Sequence, residues 1–392
     1  MRHPTRTQTV AVWAGAITIA AGLLLGCSDS TSSSKSTGAT CAQGTTIAFM
    51  GRFDETDTSM ASPTQLGAQL AVDEFNKANP KCQVTLDVQV GTTGETAAVA
   101  AAQTIVATPS VVAVVGPQRS GDVVVAGPVL NAGGVPFVSA TATRTDLSAQ
   151  GWNMFHRVVG TNANIGTGAA KYMTDTLGAS KIAVIDDGTP YSVDLAATVS
   201  KALGTKATVV GSITDDPASV TAIVSKLAGF GPNDAVYFAG YELKAANLLQ
   251  QLRAAGVTST FVGADTLPSA TFLDAAGKQA DGVIATCLCA PLSEIPAGND
   301  FAKRFKASFP NADPNQEYAA EAFDATNLIL STIAAGNDSR SSIATALSTT
   351  TWDGITRNIR FDAKGDVVDP VVWVSKVQGG TFVAIGSVNT TK

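Results

Sequence analysis

The stretch that decides the fold is Val111–Leu147, with the sequence VVAVVGPQRSGDVVVAGPVLNAGGVPFVSATATRTDL. Val111–Val115 is apolar and mostly β-branched, a pattern typical of a strand that is buried on both faces of a parallel sheet. Apolar positions over Asp122–Asn131 then predict a helix packed on that sheet, and we expect Gly127-Pro128 to bend or split it.

Small hydroxyl side chains follow both strands of this stretch. Ser120 comes after the first strand, and a second apolar strand over Val135–Val138 ends in Ser139-Ala140-Thr141-Ala142-Thr143. In open α/β sheets ligands bind at the carboxyl ends of the strands, and the amides at a helix start favour an anion there. The stretch therefore predicts a ligand-binding edge.

The same alternation of strand and helix extends in both directions. It predicts two parallel sheets, because repeated strand–helix–strand units are joined by right-handed crossovers. The first series of strands covers Thr46–Met50, Val84–Val90, Val111–Val115 and Val135–Val138. The second covers Lys181–Ile185, Ala207–Ile213, Ala235–Ala239, Thr260–Gly263 and Gly282–Thr286.

Motifs along the chain occur in an order that belongs to a known family. They are Gly116-Pro117, Ser120, Gly134-Val135-Pro136, Ser139, Ala142-Thr143, Leu147, Lys181–Asp186 before Tyr191, Asp234–Gly240 before Tyr241, and Ile359–Asp366. In this order and spacing they resemble the Leu/Ile/Val-binding protein family, the type I solute-binding proteins of ABC importers. The resemblance covers the chain from Thr45 to its C-terminus.

This resemblance implies an α/β fold of two Rossmann-like lobes, joined by a three-strand hinge as in a Venus flytrap. The first lobe would comprise residues 45–158 and 290–356, and the second residues 159–289 and 357–392. Ile359–Asp362 and Val371–Val377 would be strands that pack on the second lobe. A chain of 392 residues is long enough for two such cores.

The resemblance also assigns the ligand site. Ser120, Thr141 through its backbone and Thr143 match positions that hold the carboxylate of an amino acid. Asp265 follows a predicted strand where the family has a glutamate for the ligand ammonium, although aspartate is one methylene shorter. Burying such an acid is costly unless a cation neutralises it, so an ammonium ligand would drive closure.

Two tyrosines and three further residues complete the expected site. Tyr191 and Tyr241 match family tyrosines that cover the ligand, and an aromatic face attracts an ammonium. Arg119 could reach an acidic ligand side chain or could face solvent. Phe53 and Met60, in the polar loop Arg52–Ser62, are candidates for the specificity pocket, and the polarity of this loop leaves amides, urea-like solutes and aromatic acids open as ligands.

The N-terminus has the pattern of an export signal. Arg2 and Arg6 precede an apolar run, and Leu24-Leu25-Gly26-Cys27 resembles a bacterial lipobox. We therefore expect a signal peptide over residues 1–26, lipidation of Cys27 and a tether over residues 27–44. A plain signal peptide or a short membrane anchor is the alternative interpretation.

Four cysteines remain after Cys27, which in an exported protein is compatible with two disulfides. Cys41 and Cys82 flank predicted strands and could close a long loop. Cys287 and Cys289 could form a local disulfide or remain two buried thiols. A structural zinc site needs four nitrogen or sulfur ligands, so we expect no metal.

Composition and motifs disfavour catalysis and nucleic-acid binding. The net charge of −6 comes without a basic tract. His156 is the single histidine beyond the signal segment, so a Ser-His-Asp triad would depend on it, and we expect it to be a packing residue. No Walker or dinucleotide motif is present, so the sequence predicts neither an enzyme nor a cofactor.

These observations predict an extracytoplasmic, lipid-anchored and monomeric solute-binding protein. It would capture an amino acid or a related compound and deliver it to the permease of an ABC transporter. The alternative is a sensory protein that presents its ligand to a separate receptor or kinase.

Overall fold

The structure is a computed structural model, and it describes residues 39–51, 62–90, 95–316 and 318–390. The strands within these ranges are β1 (Thr46–Gly51), β2 (Thr85–Val90), β3 (Val111–Val115), β4 (Phe137–Ser139), β5 (Phe155–Arg157), β6 (Ile182–Asp186), β7 (Ala207–Ser212), β8 (Ala235–Ala239), β9 (Thr260–Gly263), β10 (Ile284–Cys287), β11 (Trp352–Asp353), β12 (Asn358–Ile359), β13 (Val371–Gln378) and β14 (Thr381–Asn389). The α-helices are α1 (Pro63–Ala78), α2 (Glu95–Ala107), α3 (Ser120–Ala132), α4 (Asn162–Lys171), α5 (Pro190–Leu203), α6 (Pro217–Lys226), α7 (Glu242–Ala254), α8 (Ala270–Ala276), α9 (Gly298–Ser308), α10 (Ala319–Ala334) and α11 (Arg340–Thr349).

Two separate sheets organise the molecule. The first sheet has the order β2-β1-β3-β4-β5, and all of its strands are parallel. The second sheet has the order β14-β13-β10-β9-β8-β6-β7. Its strands are parallel from β10 to β7, and β13 and β14 extend it as an antiparallel hairpin. This architecture confirms the predicted α/β fold with two parallel sheets.

The helices start where local chemistry favours a start. Ser62 caps α1 and Thr189 caps α5, and each cap residue is followed by a proline at the first helical position. Thr161 and Asn164 form a reciprocal capping box at α4. Helix α5 therefore begins close behind β6, with Tyr191 in its first turn.

Each sheet is covered by apolar helix faces. Helices α1 and α10 pack against each other in the core beside the first sheet, and α2 packs against α3 on another part of that core. In the second half, α4 packs against α5 in one core cluster and α7 packs against α8 in another. The carboxyl ends of the parallel strands are left for loops.

Three elements differ from the sequence-based expectation. Helix α3 is continuous through Gly127-Pro128 and is not split; Gly127 leaves space for Trp152, whose ring a Cβ there would approach to 2.5 Å. Strand β5 was not predicted, because it has only three residues. Ile359 pairs with Trp352 in a small separate sheet and is buried in the core beside the first sheet, so the strand expected over Ile359–Asp362 does not pack on the second lobe.

Two disulfides join the four cysteines of the described chain. Cys41 is bonded to Cys82 with a Cα–Cα distance of 4.8 Å, which ties the segment before β1 to the turn before β2. Cys287 at the end of β10 is bonded to Cys289. The lobe boundaries at residues 158, 289 and 356 stay a prediction.

Candidate functional site

The site residues predicted from the sequence lie in loops at the carboxyl ends of the parallel strands. The first sheet contributes the segments after β3 and β4. The second contributes the segments after β6, β8 and β9. At the end of β3, Gly116 has a φ of 120° and leaves no room for a side chain, because a Cβ there would lie 2.5 Å from the Met50 carbonyl oxygen.

Ser120 and Thr143 are buried beside each other in the first half. Ser120 is the first residue of α3, and its Oγ accepts a hydrogen bond of 3.2 Å from the Arg144 backbone N–H. The Thr143 side chain is completely buried, and its Oγ1 has no hydrogen-bond partner in the structure. A buried hydroxyl without a partner is uncommon, so the hydrogen-bonding capacity of the Thr143 hydroxyl is unused in this structure.

Thr141 has a different role. Its hydroxyl donates a short hydrogen bond to the Gln118 carbonyl oxygen, which ties the loop after β4 to the loop after β3. Ser139 adds a second connection, since its Oγ donates to the Pro117 carbonyl oxygen at 2.9 Å. The Thr141 hydroxyl thus fixes the loop.

A buried arginine clamps the loop that contains Thr143. Arg157 on β5 has no exposed surface, and its Nη1 donates to the carbonyl oxygens of Ala142 at 3.2 Å and Arg144 at 2.7 Å. Its Nε donates to Asp366 Oδ1 at 2.6 Å. Both neighbours of Thr143 are therefore held by one rigid guanidinium.

Asp265 lies just after β9 and is buried. Its Oδ1 accepts a short hydrogen bond from the Tyr191 hydroxyl, and its Oδ2 accepts one from the Tyr318 hydroxyl. Burial raises the pKa of Asp265, and the two tyrosine hydrogen bonds act in the opposite direction. Burial and the nearby Asp265 charge raise the pKa of both phenols well above 10, so they remain donors at neutral pH.

Tyr241 lies next to this group. Its ring centroid is 5.4 Å from that of Tyr191, and the planes are tilted by 44°. The Arg119 guanidinium lies over the Tyr241 ring, with its Cζ 4.5 Å from the ring centroid. The Tyr241 backbone N–H donates to Asp187 Oδ2 at 2.8 Å, which fixes the start of α7.

Contacts between the two halves place these loops opposite each other. Arg119 of the first half reaches Tyr241 of the second. The Thr145 backbone N–H and hydroxyl donate to Asp194 Oδ2 on α5, at 2.9 and 3.0 Å. The Asn162 backbone N–H donates to the Thr143 carbonyl oxygen at 2.6 Å. The described loops that carry the predicted ligand-binding residues therefore contact each other across the two halves.

This arrangement suits a small zwitterion. Ser120 and Thr143 supply neutral hydroxyl groups on one side, near the first turn of α3, and Asp265 supplies an acid on the other. A carboxylate has about four lone-pair sites, and the two tyrosines use two of them, so Asp265 retains acceptor capacity for an ammonium. The aromatic rings of Tyr191 and Tyr241 add apolar surface.

Sequence reasoning missed Tyr318 as a site residue. It begins a segment with strong helical periodicity, and that pattern gave no sign that its hydroxyl would reach Asp265. Phe53, Met60 and Cys27 lie outside the described residues, as do the signal segment and most of the tether.

His156 is buried on β5 and packs against Phe361, with ring centroids 4.7 Å apart. Burial lowers the pKa of His156 to about 4, so its ring is neutral at physiological pH. Within the described ranges, His, Cys, Asp and Glu form no group of three that could hold a metal ion. No helix among the same residues has both the length and the apolarity needed to cross a membrane.

Comparison with known proteins gives consistent results. The family model for "Periplasmic binding protein" matches residues 45–381. The "Leucine-, isoleucine-, valine-, threonine-, and alanine-binding protein" of Pseudomonas aeruginosa is 28% identical over 307 residues, which is 77% of this chain and 81% of that protein. "Leu/Ile/Val-binding protein homolog 1" of Brucella abortus is 30% identical over 313 residues, 77% of this chain and 82% of that protein.

A solved structure has the same fold. The substrate-binding protein LivJ from Streptococcus pneumoniae in complex with isoleucine superimposes with a TM-score of 0.77 at 24% identity, covering 88% of this chain and 99% of that one.

Proposed function

Because the chain belongs to the periplasmic binding protein family, we propose that it captures a small zwitterionic solute, an amino acid or a close relative, between its two halves. It then delivers this solute to the permease of an ABC importer. Membership of this family implies a location outside the cytoplasm. The ligand would shift an equilibrium between open and closed forms because it binds the closed form better.

The observation that carries this proposal is the environment of Asp265. The acid is buried, and its hydrogen bonds come from two neutral phenols. Among the described residues, no basic side chain forms an ion pair with it. A buried carboxylate without a cation is costly, and a ligand ammonium supplies the missing charge.

The opposite end of the ligand is matched by the unpartnered Thr143 hydroxyl and by Ser120 at the start of α3. Backbone amides at a helix start carry partial positive charge and suit a carboxylate. The Pseudomonas relative is named for binding leucine, isoleucine, valine, threonine and alanine, which supports an α-amino acid here. Arg119, Phe53 and Met60 are our candidates for choosing among side chains.

The experiment is a titration with amino acids, amides and small carboxylates, in which calorimetry and thermal unfolding detect binding. A true ligand at about 100 times its Kd adds roughly 2.7 kcal/mol to the free energy of unfolding. Asp265→Asn retains the shape of the side chain and should weaken amino-acid binding by at least tenfold. Asp281→Asn, on an exposed aspartate, is the matched control and should bind as the parent does.

The absence of stabilisation with every compound of the panel would reject the amino-acid function. Unchanged affinity in folded Asp265→Asn would reject the role of Asp265, because it would place the ligand ammonium elsewhere.

The same proposal includes attachment to the membrane through a lipid on Cys27, with residues 28–44 as a spacer. It also includes a monomeric state and a binding role without catalysis. Cys27→Ala should move the protein from the detergent phase to the aqueous phase in phase-partitioning. Unchanged partitioning of this variant would contradict lipidation.

A further inference from the structure

A cavity lies beside the candidate site. Its volume is about 400 Å³, within the range of small-molecule sites. Helix α8 contributes Leu273, the β13–β14 hairpin contributes Trp373 and Phe382, and the chain at and before α10 contributes Asp313, Tyr318 and Glu321. We call this space the Tyr318 cavity.

The Tyr318 cavity is distinct from the first site. Tyr318 lines it, but Asp265, Tyr191 and the hydroxyl residues of the first half do not. Tyr318 lies in the boundary, because its hydroxyl donates to Asp265 on one side. Its backbone has a φ of 59°, a conformation that is rare for a bulky residue and that is found most often at functional positions.

The walls of the Tyr318 cavity combine apolar and acidic side chains. Trp373, Phe382 and Leu273 form an apolar and aromatic part. Asp313 and Glu321 are the acids, and none of the described lining residues is a lysine, arginine or histidine. Glu321 is buried, and its Oε1 accepts a hydrogen bond of 2.8 Å from the Ala290 backbone N–H.

This combination selects a class of ligand. An anion would meet two acids and no basic residue in the described walls, because Arg357, which lies near Glu321, does not line the cavity. A neutral solute would bring no charge to complement the acids. A cation with an aromatic or aliphatic body satisfies both parts, since an ammonium is attracted by carboxylates and by the face of Trp373.

We propose that the Tyr318 cavity is a second binding site that takes a small organic ammonium compound with an apolar body. This proposal does not depend on which ligand the first site binds, so it would remain valid if the amino-acid proposal failed.

The test uses phenethylammonium as the probe and 2-phenylethanol as its neutral counterpart. Titration of phenethylammonium should change the fluorescence of Trp373 saturably, and the alcohol should bind at least tenfold more weakly. Trp373→Phe should remove the fluorescence signal while calorimetry still detects the ammonium. Equal affinity for the two compounds would overturn the proposal.

Substitutions in the cavity walls test whether phenethylammonium binds in the Tyr318 cavity. Ser375→Phe and Ala384→Leu each fill the cavity and should weaken phenethylammonium at least tenfold, and Asp313→Asn should weaken it severalfold. Ser120→Ala, in the first site, should leave phenethylammonium affinity unchanged. Unfolding curves identify any filling variant that does not fold, and Asp313→Asn then decides. Unchanged affinity in the folded cavity variants, or loss of affinity in Ser120→Ala, would overturn the proposal.

Discussion

Two threonines of one loop differ in the hydrogen bonding of their hydroxyl groups. Thr141 and Thr143 are separated by one residue and are indistinguishable by sequence pattern. In the structure, the Thr141 hydroxyl is committed to the Gln118 carbonyl oxygen, whereas the Thr143 hydroxyl is buried without a partner. An unsatisfied buried hydroxyl destabilises the fold, so its presence is consistent with a ligand that completes it.

Replacing Thr143 by valine should therefore affect binding more than stability. The variant loses a hydrogen bond to the ligand carboxylate, and bonds to charged groups contribute about 1.5–3 kcal/mol, so affinity should fall by roughly tenfold or more. The free energy of unfolding without ligand should stay the same or rise. Calorimetry and chemical denaturation measure the two quantities.

Thr141→Val is the matched control. It removes a hydrogen bond between two loops of the same half and should lower the free energy of unfolding by about 1 kcal/mol. If Thr143→Val instead lowers stability as Thr141→Val does and leaves affinity intact, the Thr143 hydroxyl is structural.

The charge of Asp265 makes binding depend on pH. Burial raises the pKa of this carboxyl, and an ammonium ligand prefers its ionised form. As the pH falls through the raised pKa, Asp265 takes up a proton, so affinity for an amino acid should decline at a higher pH than an ordinary aspartate would cause. Calorimetry across the acid range measures this decline.

Asp265→Asn, titrated with the same amino acid, serves as the comparison. Its affinity, however weak, should not decline over the same pH range. Parallel pH profiles for the variant and the parent would contradict the assignment of Asp265 to the ammonium.

At the scale of elements, helix α10 carries two acids into the interior. Burial raises the pKa of Glu321 to about 7 and that of Asp324 to about 6. Hydrogen bonds from the Ile355 and Thr356 backbone N–H groups hold Asp324 at 2.8 and 2.9 Å. Arg357 lies near both acids, and burial lowers its own pKa.

Glu321 should make folding stability depend on pH. Its pKa is about 7 when folded against an ordinary value of 4.5, so the folded state binds the proton more tightly. The resulting contribution to the free energy of unfolding, on the order of 2–3 kcal/mol, is fully present below pH 4.5 and is lost as the pH rises through 7. Glu321→Gln retains an oxygen for the Ala290 N–H and should flatten this part of the profile.

Denaturation of both proteins between pH 4.5 and 7.5 tests this expectation. The difference in unfolding free energy between variant and parent should change steadily in favour of Glu321→Gln as the pH rises. A constant difference would show that Glu321 keeps the same protonation state throughout.

Periodicity predicted the long elements because each has one buried face or is buried on both faces. Strands β3, β8 and β9 have the bounds expected from the sequence. Strand β5 and helix α8 were missed, since three or seven residues show too little of a period. Strand β14 was missed because its side chains are partly or fully exposed, so it lacks an apolar face.

At the scale of the whole molecule, the resemblance predicted which strands the candidate site residues follow, because motif order fixes which strand each loop follows. It could not give the partners of Tyr318, which lies outside every motif and far from Asp265 in sequence. It assigned Thr141 through its backbone, but it could not show that the Thr141 hydroxyl is bonded to Gln118 or that the Thr143 hydroxyl has no partner. The contacts of Tyr318 depend on how the two halves meet, and no local sequence pattern predicts that.

The contact between Thr145 and Asp194 joins the two halves, so its removal tests whether ligand binding requires them to approach each other. Thr145 follows β4 in the first half, and its backbone N–H and hydroxyl both donate to Asp194 on α5 of the second half. Neither residue is expected to touch the ligand. If ligand binding requires the halves to approach, this pair stabilises the bound form from a distance.

Thr145→Val removes the hydroxyl part of this contact. A lost hydrogen bond of about 0.5–1.5 kcal/mol should weaken ligand affinity by roughly two- to tenfold, chiefly through faster dissociation, because an open cleft releases the ligand sooner. Thr350→Val removes a hydroxyl bond to Ala346 within one half and should alter stability alone. Stopped-flow dissociation and calorimetry compare the two variants. Equal dissociation rates in the parent and Thr145→Val would mean that closure does not use this contact.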